Sequence, residues 1–417
     1  MNITLLSSKP KGEIRAIASK SAAHRLLICA AFAKEPTSIR CEQLNKDIEA
    51  TADCLCALGA NIEYNDGVFT VEPIKEIPAE ATLNCGESGS TLRFLVPVVA
   101  ALGVRAKFVM EGRLPDRPIS PLREELEANG ITLSPQGTNP LICEGKLCGN
   151  EFSIAGNVSS QFISGLLFAL SLCKNGGNLR VVGKLESAPY VTLTCNALRR
   201  FGIKITRTGA LYTVTKGDTP IRARKADVEG DWSNAAFPLC AAAIGGDVTV
   251  TNIDLSSRQG DKKIIDLLAA FGAVVEKKKQ KVRVRQAPLH AQDIDASQIP
   301  DLVPVLATVA AVAKGTTRIY GAARLRIKES DRLVTVCNML TSLGADIQET
   351  SDGLIIKGKS SLSGGTVDAA NDHRIAMSAA VASVACDSPV TIVGAEACKK
   401  SYPTFFEDME KLGFKKK

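Results

Sequence analysis

Six glycines, Gly59, Gly130, Gly202, Gly272, Gly344 and Gly413, recur at separations of 71, 72, 70, 72 and 69 residues. The chain reads the same way around each of them. In residues 326–358, Leu333, Val336, Cys337, Leu340 and Leu343 fall on one face of a helix, and Gly344 follows. The glycine suits the left-handed position that ends a helix. Two short runs, 345–349 and 354–357, then flank a Ser-Asp-Gly turn, the pattern of a hairpin. Further copies lie at 55–73, 126–145, 198–217 and 268–286, and the last, LGFKKK, stops before its hairpin. So regular a period is a repeat architecture. One unit buries little by itself, whereas three together make a domain of ordinary size.

At 417 residues the chain is expected to form two domains. The opening MNITLLS reads as a strand that supplies the missing piece of the sixth hairpin. That predicts a discontinuous domain, 1–14 plus 228–417, and an inserted domain, 15–227, with three repeats each. One crossing falls in 217–232, rich in charge with Gly and Pro; the other lies near 9–15. Apolar helices are predicted at 26–32, 92–102, 161–172, 235–244, 302–313 and 375–385, beside strands such as 247–251 and 389–393. The fold class is α/β with a helical core.

Hydrophobic residues make up 45% of the chain and charged ones 23%, which fits a soluble globular protein. No apolar run suits a signal peptide or a membrane span. Thirteen cysteines without a framework read as buried thiols in a reducing cytoplasm. With three histidines and no CxxC pair, a structural zinc site is not expected. A net charge of +7 and aromatic content of 5% argue against a nucleic-acid binder and suit a cleft that gathers small polyanions.

Polar clusters stand just ahead of the apolar helices. SKSAAHR places Lys20, Ser21 and Arg25 before LLICAAF, and a helix N-terminus with such cations makes a phosphate site; a capped helix with solvated charges is the plainer alternative. GESGSTLR repeats the design with a glycine turn at Gly89. VSSQ offers Ser159, Ser160 and Gln161 as neutral donors, or simply a cap. LPDRP holds Arg117 on a proline-stiffened loop, and Ser187 lies in ESAPY. Asp301 heads the apolar LVPVLATVAAVA, either as an N-cap or as a desolvated base. Arg374 lies in NDHR and Lys400 in KKSYP. Similar placement before equivalent helices is the argument: six helix N-termini are expected to converge on one anionic ligand.

Taken together, SKSAAHR, ESGSTLR, PDRPISPL, NVSSQF, IPDLVPVLA, RIKESDRL, NDHRIAM and KKSYP resemble the 5-enolpyruvylshikimate-3-phosphate synthase family over nearly the whole length. The resemblance implies a two-domain inside-out α/β barrel of six βαβαββ repeats. It also implies transfer of enolpyruvyl from phosphoenolpyruvate to the 5-hydroxyl of shikimate 3-phosphate, without metal or cofactor, by a cytoplasmic monomer. Glu329 is then the acid at the methylene carbon, Asp301 the base for the hydroxyl, and Lys20 a bridge between the substrates. Ser21, Arg25, Ser159, Ser160, Gln161, Ser187, Arg324 and Lys328 match positions around shikimate 3-phosphate. Gly89, Arg117, Gln161, Arg332, Arg374 and Lys400 match those around phosphoenolpyruvate.

Three positions depart from the family pattern: Glu87 with Ser88 and Ser90 at the glycine turn, Phe94 in place of a proline, and Arg324 where an asparagine is common. Gly89 still leaves room for glyphosate, so sensitivity is the expectation. Two rivals remain. The sister transferase acting on UDP-N-acetylglucosamine shares the fold but carries a reactive cysteine on the loop equivalent to 114–122, and none is present here. An RNA-binding or RNA-end-processing protein of related repeats would need basic stripes and exposed aromatics.

Overall fold

The computed structural model describes residues 1–215 and 225–417; residues 217–224 of the 217–232 crossing lie outside the described residues. Helices alternate in two kinds along the chain. They are α1 (Lys20–Ala31), α2 (Lys46–Ala57), α3 (Gly89–Leu102), α4 (Leu122–Glu127), α5 (Ser160–Leu172), α6 (Ala188–Arg200), α7 (Trp232–Gly245), α8 (Ile264–Phe271), α9 (Val303–Ala310), α10 (Arg332–Ser342), α11 (His373–Ala382) and α12 (Phe405–Lys411). Odd-numbered helices are buried along most of their length, and in α7 every residue is buried. Even-numbered ones are amphipathic, and each is followed by a repeat glycine with φ between 84° and 109°. At those φ values a side chain is strained, which explains the period.

Among the described residues the strands form six four-stranded sheets of one topology: a parallel pair, then two antiparallel strands. Each repeat is therefore strand, buried helix, parallel strand, second helix and hairpin. The sixth hairpin is closed as expected by the N-terminal strand: Asn2–Leu6 pairs antiparallel with Val390–Val393 and with Lys415–Lys416.

The contacts divide the chain into two compact units, residues 1–17 with 229–417 and residues 18–228. Each has its own apolar core, centred in one on α7, α9 and α11 and in the other on α1, α3 and α5. Both chain crossings cut a repeat at the same joint. Strand Lys11–Arg15 pairs parallel with Asp247–Thr251 and so leads the repeat of α7, although α1 follows it in sequence. Strand Lys225–Asp227 pairs parallel with Thr37–Arg40 and leads the repeat of α1.

Two expectations need correction. The polar clusters do not all stand ahead of the helices: Lys20, Ser21 and Arg25 lie within the first two turns of α1, and Gly89 and Arg93 within those of α3, whereas Ser159, Asp301 and Asp372 precede theirs. The thiols are not all buried, since Cys56 and Cys148 are exposed.

Candidate active site

The inserted unit starts its three buried helices with serine. Ser19 caps α1, Ser88 caps α3 and Ser159 caps α5, accepting from Ala22, Thr91 and Gln161 amides at 3.3–3.4 Å. A hydroxyl satisfies a free amide without cancelling the positive end of the helix. Lys20, the first residue of α1, donates from Nζ to Asp47 Oδ2 at 2.7 Å. One turn on, buried His24 bonds through Nδ1 to Thr51 Oγ1, and hydroxyl contacts continue through Thr91 to Ser88 at 2.6–2.7 Å. Burial, with Lys20 and Arg25 nearby, keeps the His24 imidazole well below its usual range and therefore neutral.

Buried Arg25 donates to Thr194 Oγ1 at 2.8 Å and to the carbonyls of Ser21 and Tyr190 at 2.6 and 3.0 Å. Its guanidinium is lowered to about 10 by burial. Gly89 lies under Arg117: a Cβ there would meet Arg117 Nη1 at 2.8 Å, so glycine lets the guanidinium rest on the head of α3. Gln136 holds the loop by donating to the carbonyls of Pro115 and Arg117. Gln161 joins two helix heads, accepting from Arg93 at 2.9 Å and donating to Ser90 Oγ at 2.8 Å. Ser160 is buried at the start of α5, and Ser187 heads α6 with φ of 51°. Glu87 packs its carboxylate against Gly112.

In the discontinuous unit the heads carry aspartates. Asp231 caps α7 and Asp372 caps α11. Asp301 sits in the 3-10 turn Pro300–Leu302 leading into α9 and makes no cap bond, so the N-cap alternative fails. Its carboxylate instead faces three cations: Arg332 Nη1 at 2.9 Å, Arg374 Nη2 at 3.3 Å and Lys328 Nζ at 3.6 Å. Burial pushes Asp301 up, but Arg374, Lys328 and Arg332 outweigh it and hold it well below the usual carboxylate range.

Arg332, 1% exposed, joins the cluster. It donates to Glu329 Oε2 at 2.7 Å and to both oxygens of Asp372 at 2.8 and 3.2 Å. Breaking such a buried pair costs about 3–5 kcal/mol. Three surrounding carboxylates hold its charge on more firmly than usual, against burial. Lys328 is lowered to about 8 by burial, although Asp301 opposes this.

Buried Asp261 accepts from the Ser233 hydroxyl on α7 and is raised to about 6 by burial and by the charge of Asp301. Arg324 donates to the Ser297 carbonyl at 2.6 Å, and Lys400 to the Asn371 carbonyl at 2.7 Å, beside Asp372. The structure thus brings Asp301, Lys328, Glu329, Arg332 and Arg374 into one network, with Lys400 and Arg324 bonded to backbone at its margins.

Among the network residues that escaped sequence reasoning are Asp47, Asp261 and Asp372. Asp372 alone had a local signal, standing two positions before Arg374 where a cap belongs. Among the described residues no cluster of His, Cys, Asp and Glu could hold a metal ion, and no helix is long and apolar enough to cross a membrane.

A family model described as EPSP synthase (3-phosphoshikimate 1-carboxyvinyltransferase) matches residues 6–409. A protein of Clostridium perfringens named 3-phosphoshikimate 1-carboxyvinyltransferase is 42% identical over 415 residues, covering 99% of this chain and 98% of the relative. One of the same name from Methanocorpusculum labreanum is 38% identical over 417 residues, covering 99% of each. The EPSP synthase structure from Acinetobacter baumannii superposes with a TM-score of 0.82 at 26% identity, covering 100% of this chain and 99% of the other. With the motifs, the repeated fold and these likenesses in agreement, the chain belongs to the EPSP synthase (3-phosphoshikimate 1-carboxyvinyltransferase) family.

Proposed function

We propose that the network around Arg332 and the serine-capped helix heads carry out the family's reaction. In it, phosphoenolpyruvate and shikimate 3-phosphate give the 5-enolpyruvyl ether and phosphate. The observation that carries this reading is that one guanidinium holds Asp301 and Glu329 together among further cations. The reaction needs that combination. A proton must reach the methylene carbon, the 5-hydroxyl must lose one as its oxygen bonds to C2, and the adduct must then lose a methyl proton and phosphate.

Glu329 is assigned as the acid at carbon and Asp301 as the base for the hydroxyl, each contributing about 10²–10⁴-fold. Asp301, held low by its cations, is ionised but a weak base before substrate arrives. Substrate anions that engage Arg374 and Lys328 would draw off that pull and raise its basicity. Lys20 bridges the substrates. Ser21, Arg25, Ser159, Ser160, Gln161, Ser187, Arg324 and Lys328 hold shikimate 3-phosphate. Gly89, Arg117, Gln161, Arg332, Arg374 and Lys400 surround phosphoenolpyruvate, with Arg332 acting through the two carboxylates it positions. Preorganised cations against two anionic substrates supply the larger part of the rate.

The reading includes a cytoplasmic monomer that needs neither metal nor nucleic acid. Its domain division, 1–14 with 228–417 and 15–227, is supported by compact units whose boundaries fall after residues 17 and 228. The test is phosphate release from phosphoenolpyruvate in EDTA, with shikimate 3-phosphate or UDP-N-acetylglucosamine as acceptor. Release is expected with shikimate 3-phosphate alone. Release only with the sugar nucleotide would overturn the assignment.

A further inference from the structure

We propose that Phe94 is a positioning residue that holds the Arg25 guanidinium in register for its anionic ligand. Arg25 is 3% exposed, and among the described residues no carboxylate pairs with it. Its neighbours are a hydroxyl, two carbonyls and the face of Phe94, whose centroid lies 5.0 Å from Cζ. Three of its five N–H groups are used on those oxygens, which leaves two for a ligand. A buried cation without a counter-ion depends on whatever negative potential faces it, and an aromatic face within about 6 Å provides it.

The ring is itself fixed. Phe94 is 1% exposed, with Phe168 edge-on at 5.6 Å and His24 edge-on at 6.2 Å. Phe168 belongs to α5, so α3 and α5 together set the plane on which an α1 side chain lies. Proline or leucine at position 94 would fill space but present no such face. Phe94 and its preceding Arg93 thus address different groups: Arg93 lies over the Phe162 ring and bonds Gln161, while Phe94 supports Arg25.

This inference rests on the proposed contact between Arg25 and shikimate 3-phosphate, and its test separates the two. Phe94 is replaced by mono-, di- and trifluorophenylalanine, which withdraw charge from the ring face with little change of shape. Shikimate 3-phosphate affinity is read by calorimetry, and KM and kcat by steady-state assay. The dissociation constant is expected to rise stepwise with fluorine number, by roughly tenfold over the series, with kcat and the phosphoenolpyruvate KM unchanged. Phe168→Leu removes aromatic packing that does not touch Arg25. By freeing the Phe94 ring it should lower the melting temperature and weaken shikimate 3-phosphate binding by less than the trifluoro replacement does.

A flat fluorine series beside weakened binding in Arg25→Ala overturns the role of Phe94 only. Unchanged binding in Arg25→Ala overturns the assigned contact and the inference with it. Equal losses for both substrates across the series mark a general loosening of the core and also overturn the inference.

Discussion

The two units begin equivalent buried helices with different chemistry. Ser19, Ser88 and Ser159 head the helices of the inserted unit, whereas Asp231, Asp301 and Asp372 stand at the heads in the discontinuous one. A serine leaves the partial positive charge of the helix end, roughly half an elementary charge, for an outside anion. An aspartate answers it from within, and the added negative charge brings Arg332, Arg374 and Lys328 inward. One unit therefore has neutral donors at its helix heads, and the other a network of paired charges. In the proposed reading, repeats of one topology place the proton-transfer groups Asp301 and Glu329 in one unit only, while groups that hold the substrates occur in both.

The strongest attempt to break that division is Glu329→Gln or Asp301→Asn. Each should lower kcat by about 10²-fold or more and leave the calorimetric affinity for shikimate 3-phosphate nearly intact. Weakened binding with normal turnover would reverse the roles of the units.

Asp261 sharpens the comparison through pH. Its folded carboxyl is raised to about 6, above the value near 3.9 of an unfolded chain. The native state therefore keeps that proton to higher pH than the unfolded chain, and stability from this group is lost as pH rises from about 4 to 6. Asp301 and Asp372, held low, act in the opposite sense, and their contribution is lost as pH falls below about 4. Urea unfolding of Asp261→Asn should show a flatter profile between pH 4 and 6 and a gain of order 2 kcal/mol at pH 7. An unchanged profile would mean Asp261 is ionised throughout.

The smallest effect is expected from converting one cap. Ser159→Asp keeps a good N-cap but should raise the KM for shikimate 3-phosphate roughly two- to fivefold through charge at the helix end. No change would show that the helix end does not face an anion.

What the sequence could show was whatever depends on neighbours along the chain. Left-handed glycines, alternating hairpins and charged residues at helix starts are local demands, and all six repeats followed from them. Partners forty residues apart leave no such trace: Arg332 was visible as a cation in RIKESDR, but its capture by Asp372 depends on α10 meeting the head of α11. Asp261 lies in SRQGDKK, whose charge density reads as a surface loop, yet its side chain is fully buried. Phe94 looked like a missing proline, and only the packing of α1 on α3 and α5 gives its ring a partner.

The shared joint at which both crossings cut a repeat also sets a timetable for synthesis. Strands Asn2–Leu6 and Lys11–Arg15 are made early, yet their partners at Val390–Val393, Lys415–Lys416 and Asp247–Thr251 come much later. The unit spanning 18–228 receives its last strand, Lys225–Asp227, just as its own stretch is finished, and can close at once. At ordinary elongation rates the first strands then wait on the order of tens of seconds, with apolar Ile3, Leu5 and Ile14 uncovered until the second core forms around them. The early strands are where a nascent chain of this topology is exposed to aggregation.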